Sequence, residues 1–175
     1  MKVLICLICV IAFIILYVII CLKKIKYDEV YVYERLGKVS VAKEGKVLFI
    51  PFIDRIKSHL TIKDEMHTTM LNECTIVDDV VLQYKLTIFY DVLDPIKVTY
   101  ELKDVDEDID ETIKTVFPNV VKEMPLDEIV RSERKIVEQT KEEIKKITES
   151  KGYVVTEIKI DNIMEKAKYI GDIEI

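Results

Sequence analysis

Val80-Val81-Leu82-Gln83-Tyr84-Lys85-Leu86-Thr87-Ile88-Phe89-Tyr90 decides the fold class. Its even positions, Val80, Leu82, Tyr84, Leu86, Ile88 and Tyr90, are all apolar or aromatic. Its odd positions include Gln83, Lys85, Thr87 and then Asp91. A period of two with one polar face predicts a half-buried antiparallel strand. Residues 75–77 belong to the same strand or to its hairpin partner. Asp94-Pro95 stops the sheet, because proline cannot donate to a ladder.

On the C-terminal side the period changes to that of a helix. Ile109, Ile113, Val116 and Phe117 fall on one face of residues 106–117. Pro118 interrupts or kinks that helix, and Val120, Val121 and Met124 continue the stripe to Pro125. Leu126-Asp127-Glu128-Ile129 begins a new turn. Ser132 is positioned to cap a helix over 133–149 with Ile136, Val137, Ile144 and Ile147 as apolar points, and Gly152 to end it. The charged side chains of that helix, Glu138, Lys141, Glu142, Lys145, Lys146 and Glu149, form either a solvated face or a subunit contact. Residues 153–160 read as a last strand with Val154, Thr156, Ile158 and Ile160 on one face. On the N-terminal side, Val30, Tyr31, Val32 and Tyr33 favour an extended segment. Gly37 and Gly45 flank a short strand at 39–42. Residues 47–53 read as a buried strand leading to a turn at Pro51, or as a segment that docks on a membrane surface. Ile56, Leu60 and Ile62 are the apolar points of a loosely alternating stretch, 56–69. Strands first, then helices, then one strand, is the order of an α+β domain.

Upstream, residues 3–22 contain no charge, no Pro and no Gly. At 1.5 Å per residue such a run reaches about 30 Å, the hydrocarbon thickness of a bilayer. It is longer than a signal-peptide core, and no small-x-small site precedes Lys23 and Lys24. The expectation is one retained transmembrane helix opening at Val3 and closing at Leu22. Domain limits follow at 1–26 (anchor and basic flank), 27–163 (folded domain) and 164–175 (a short tail, one helix at most). Lys23, Lys24 and Lys26 after the span, against Lys2 and the amino terminus before it, give a small bias toward a cytoplasmic folded domain.

The chain has 175 residues, 26 basic and 32 acidic side chains and a net charge of -6, which argues against nucleic acid as a partner. No phosphate loop, dinucleotide fingerprint or nucleophile elbow occurs. Cys6 and Cys9 lie in the apolar run, where thiolate chemistry is disfavoured. Cys21, beside the lysines, is a palmitoylation candidate or an ordinary lipid-facing residue. Cys74 stands between Glu73 and Thr75, which offer neither a base nor a positive charge. His59 and His67 lack the spacing of zinc ligands and read as surface or satisfied sheet histidines. Asp104, Asp106, Asp108 and Asp110 with Glu107 and Glu111 resemble a calcium loop. However, Ile109 and Thr115 occupy the positions of its required Gly and bidentate Glu. Acidic residues at a helix N-terminus are the better reading. No cofactor, metal or catalytic residue is expected.

Several stretches, in order, resemble the stomatin branch of the SPFH superfamily, also called band 7. They are Glu34-Arg35-Leu36-Gly37-Lys38, Glu44-Gly45, Phe49-Ile50-Pro51-Phe52-Ile53-Asp54-Arg55, Asp79-Val80-Val81-Leu82-Gln83-Tyr84 with Asp94-Pro95, Asn119-Val120-Val121-Lys122-Glu123-Met124 with Leu126-Asp127-Glu128-Ile129, and residues 152–163. The resemblance implies an α+β domain beside a membrane anchor, and a scaffold rather than an enzyme. Relatives of this kind self-assemble on membranes into rings or clusters, regulate channels, or restrain membrane-bound proteases. The chain departs from the pattern in four ways: its anchor lacks a proline, Glu44 stands where the family has Pro, Pro118 and Pro125 sit at unusual positions in the helical stretch, and no long charged helix follows residue 163 before Ile175. The resemblance therefore implies membrane lipids as partners, together with a homo-oligomer or a hetero-oligomer with a longer family member. A membrane protease or channel regulated by the chain is the alternative. Contacts are expected on Phe49, Ile50, Pro51, Phe52, Asp54 and Arg55, nearest the membrane, and on Asp127, Glu128 and Ile129 with the helix that follows.

Overall fold

The computed structural model describes residues 2–166, with side chains from Leu7 onward and without that of Asp78. The chain divides into two compact units, residues 1–62 and 63–175. The class is α+β with antiparallel sheets.

The first unit opens with helix α1, Lys2–Cys21, 20 residues long. Among the described residues no helix is long and apolar enough to cross a membrane. The side chain of Val3, the expected start of the span, lies outside the described set. The expected end is corrected. Leu22 is the first residue of strand β1, Leu22–Ile25, which pairs antiparallel with β4, Gly45–Leu48. A second sheet has the order β3-β2-β5, from β2 (Glu29–Arg35), β3 (Lys38–Ala42) and β5 (Asp54–Thr61). On one face Ile25, Tyr31 and Ala42 are buried, with Tyr33, Val47 and Phe49 packed against them, and on the other face of β2 Val30 and Val32 are fully buried. The expected turn at Pro51 is present, but the strand that leads to it is largely exposed rather than buried. The strand stops at Leu48, Phe49 turns inward onto Tyr31 and Tyr33, and a turn occupies residues 51–53.

The second unit is built on β8, Val81–Val92, whose Leu82, Tyr84, Leu86 and Ile88 are fully buried. One side of β8 pairs with β7 (Asn72–Thr75) and then with β6 (Glu65–Thr68). The other side pairs along its length with β9, Tyr153–Glu165. The expected face of β9 is corrected over its first half. Tyr153 and Val155 are buried, not Val154 and Thr156. The register shifts between Phe89 and Tyr90, leaving Thr156 as an extra residue, and a bulge inverts the alternation around it. Met164 and Glu165 continue β9 rather than starting a tail helix. Residues 167–175 lie outside the described set.

Among the described residues four α-helices complete this unit. Asp94, read from sequence only as a sheet stop, also caps α2, Pro95–Glu101, accepting from the amides of Ile96 and Lys97. Helix α3, Val105–Val121, runs through Pro118. It buries Ile109, Ile113, Val116, Phe117 and Val121, and Phe117 meets Tyr84 at 4.3 Å between ring centroids. Helix α4 is Leu126–Arg131, and α5, Glu133–Lys151, buries Ile136, Thr140, Ile144 and Thr148; of its other expected apolar points, Val137 is half-buried and Ile147 exposed. Ser132 precedes α5 as expected, but its side chain makes no capping hydrogen bond. Its backbone already donates to Glu128, closing α4. Gly152 ends α5 in the left-handed conformation, with φ 95°.

Candidate functional site

In the first unit, strand register fixes which residues share the end from which α1 departs. Leu22 follows α1 directly and pairs with Leu48, so β4 runs back toward the helix. The amide of Phe49 donates to the carbonyl of Cys21 at 3.0 Å. The chain then turns and enters β5 at Asp54, which is opposite Arg35, the last residue of β2. Both the 50–53 turn and the Leu36-Gly37 turn joining β2 to β3 therefore lie at the helix end. Residues 26–28 lie at the other end, about 20 Å away along the strands of β2.

Each of these two turns places a bulky apolar residue where a small one is favoured. Arg35 pairs with Lys38, so the connection is a two-residue loop, and Leu36 and Gly37 have φ of 50° and 80°. Two positive values define the turn type that prefers Asn-Gly; this chain has Leu-Gly. In the other turn the amides of Ile53 and Asp54 donate to the carbonyl of Ile50, with Pro51 second and Phe52 third at φ 72°. That third position favours glycine. Left-handed backbone costs a non-glycine residue roughly 1–2 kcal/mol. Neither side chain recovers this by burial: Leu36 is 83% exposed and Phe52 wholly exposed. Glu34, Leu36, Gly37, Phe52, Ile53 and Arg55 line one shallow groove, so the two turns adjoin.

A charged staple holds the second turn. Arg35 donates through Nε and Nη2 to the two oxygens of Asp54, both at 2.7 Å, and Asp54 accepts from the Ile50 amide at 2.8 Å. Arg35 also donates to the carbonyl of Leu48. The hydrogen bonds from Arg35 hold the Asp54 carboxyl below the usual carboxylate range. The sequence-derived contact residues thus separate by role. Pro51, Phe52 and Arg55 are exposed, Phe49 and Ile50 are half-buried, and Asp54 is structural. Cys21 is 5% exposed, so an acyl group on its sulfur requires its neighbours to move. In α4, Asp127 and Glu128 are exposed, but Ile129 is fully buried and cannot meet a partner. Exposed Val130 stands beside it, unmarked by any sequence signal.

The acidic stretch of the second unit joins α3 to its neighbours. Asp106 accepts from the Tyr90 hydroxyl at 3.1 Å and faces His67 Nδ1 at 3.4 Å. Asp110 lies 3.1 Å from His67 Nε2. Asp108 accepts from Lys151 at 2.6 Å and from the buried Tyr153 hydroxyl at 2.7 Å. Burial pushes the phenols of Tyr90 and Tyr153 up. His67 is a satisfied sheet histidine, while His59 stacks on Tyr31 at 4.3 Å. Among the described residues no group of His, Cys, Asp and Glu is placed to hold a metal ion. Burial pushes the Cys74 thiol up to about 11, opposite to what a nucleophile needs. Nothing in this geometry points to catalysis.

Comparison with known proteins agrees with the architecture. The chain is 29% identical over 143 residues to an uncharacterized protein of Methanothermobacter thermautotrophicus, covering 81% of this chain and 45% of that protein. An uncharacterized protein of Mycobacterium tuberculosis is 24% identical over 136 residues, covering 77% and 36%. The human stomatin-like protein 2, mitochondrial, is 24% identical over 105 residues, covering 59% and 30%. The chain thus spans less than half the length of these relatives. The model of the SPFH domain / Band 7 family matches residues 23–174, and the chain belongs to that family.

Proposed function

We propose that this chain is a non-enzymatic, membrane-anchored scaffold of the stomatin-like kind, which self-associates and organises assemblies of membrane proteins and lipids. In this reading α1 enters the bilayer and the Leu36 and Phe52 turns rest on its surface. The observation that carries it is the pair of adjoining turns at the helix end of the first unit. Each keeps a large apolar side chain in solvent and in a backbone conformation that a smaller residue would hold more cheaply. Such strain persists where function uses it, and apolar side chains beside an apolar helix suit the interface of a membrane. The helix contributes an uncharged run from Val3 to Cys21. Longer family members, membrane proteases and channels are the partner classes that the family suggests.

Two measurements on the full chain test this. Flotation after carbonate extraction should leave the protein with the lipid. Crosslinking in native membranes should give species larger than a dimer. Recovery in the carbonate supernatant contradicts the anchor, and monomer alone contradicts the scaffold.

A further inference from the structure

The ribbon of β1 and β4 carries a pattern that anchoring alone does not require. Leu22 stands opposite Leu48, and Lys24 opposite Lys46. Alternation puts these four side chains on one face of the ribbon. The other face holds buried Ile25, half-buried Val47, and Lys23, whose ammonium lies 4.3 Å from the centroid of the Tyr31 ring. Because Leu22 directly follows α1, the order along the exposed face is fixed. Two part-exposed leucines come first, and two lysines follow two residues, about 7 Å, further from the helix.

The two lysines are an electrostatic conflict inside the protein. Side chains directly opposite start from Cβ atoms about 5 Å apart, and like charges there repel. The described ion pairs of this unit join Lys26 and His59 to Glu29, Arg35 to Asp54 and Lys57 to Glu34, and none takes Lys24 or Lys46. The surroundings do not offset it. Residues 1–62 carry ten basic and five acidic side chains, whereas residues 63–175 carry sixteen and twenty-seven. An anion supplied from outside turns the repulsion into a two-sided grip. The adjoining leucine pair on the same face calls for an apolar group attached to that anion.

We infer that the Leu22, Leu48, Lys24 and Lys46 face binds an anionic phospholipid of the bilayer that α1 enters. The leucines lie against acyl chain and the two ammonium groups close on the headgroup phosphate from neighbouring strands. This rests on the proposed membrane anchoring. Lys23, held on the Tyr31 ring, is not part of the grip. Phosphate free in solution would satisfy the lysines but not the leucines.

The test uses the full chain in nanodiscs of mixed phosphatidylcholine and phosphatidylglycerol, with native mass spectrometry counting the lipids that stay bound on release. The wild type should retain phosphatidylglycerol over phosphatidylcholine. Lys24→Gln with Lys46→Gln should lower that preference by about 25-fold, taking roughly fivefold for each lysine at an anionic surface. Lys26→Gln with Lys43→Gln, which removes the same charge from the end of the unit away from the helix, should lower it much less. An unchanged preference in the first variant overturns the inference. So does an equal loss in the second, which would reduce the effect to bulk charge. So does complete competition by inorganic phosphate at millimolar concentration. Carbonate flotation is run in parallel. A chain that floats but shows no preference contradicts the lipid site alone, whereas a chain that does not float contradicts the anchor beneath it.

Discussion

Leu36 and Phe52 hold conformations in which asparagine and glycine are more stable. Leu36→Asn and Phe52→Gly should each stabilise the folded unit by about 1 kcal/mol, read as a higher thermal midpoint. A lower midpoint in both would show that these side chains support the fold and are not displayed for a membrane. Asp54 is the opposite case, with its side chain enclosed by Arg35 and the Ile50 amide. Its folded-state pKa lies below its unfolded one. Its contribution is therefore complete above the ordinary carboxylate value, near 4, and is lost as pH falls through the lowered folded value. Hydrogen-exchange protection of the Ile50 amide should disappear over that acid window. In Asp54→Asn it should be weakened at neutral pH as well; protection that ignores both would remove the staple. Cys74, pushed up to about 11, should resist alkylation near pH 8 in the folded protein. Rapid labelling of its tryptic peptide would reopen the question of thiol chemistry.

At the scale of elements, the junction of α5 and β9 is the most constrained position. A Cβ at Gly152 would sit 2.9 Å from Lys97 Cβ and 3.1 Å from the Asp94 carbonyl, and the backbone there has φ 95°. The Gly152 carbonyl also accepts from the amides of Leu93 and Asp94. Gly152→Ala should cost about 2–4 kcal/mol, combining left-handed strain with displacement of α2, measured as a drop in unfolding midpoint. Helix α5 suggests a gain instead. Thr140 and Thr148 are buried with no hydrogen-bond partner for Oγ1. Thr140→Val and Thr148→Val, nearly the same in shape, should be neutral or stabilising by up to about 1 kcal/mol; a loss of more than that would reveal a partner for the hydroxyl. These elements also show what local reading could and could not see. Strand β8 was legible from its strict alternation, and α3, α5 and the Gly152 stop from their periods and punctuation. The face of β9 was not, because a bulge is set by pairing with β8 and leaves no mark in the strand's own residues. The role of the acidic stretch at 104–111 was only half legible. Its place at a helix start follows from the dipole, but the ties of Asp106, Asp108 and Asp110 to His67, Tyr153 and Lys151 are tertiary.

Across the whole chain, the motif order identified the family, and the family match covers residues 23–174. The division into units at residue 62 carries no glycine, proline or change of period, so sequence reading passed over it. The same holds for the surface at the helix end of the first unit. Phe49–Arg55 stood out as a motif, but Leu36 joined it only through the register of β2 with β5, and the Leu22/Leu48 and Lys24/Lys46 pairs only through that of β1 with β4. Leu36, Phe52, Leu22 and Leu48 put apolar side chains at the end where α1 leaves, while Tyr27 lies at the other end. The most direct test places a photoreactive benzoylphenylalanine at position 52 or position 27 of the full chain in membranes and looks for lipid adducts after illumination. We expect lipid adducts from Phe52 and essentially none from Tyr27. Equal labelling at both positions, or none at Phe52, would contradict a membrane-facing end of this unit.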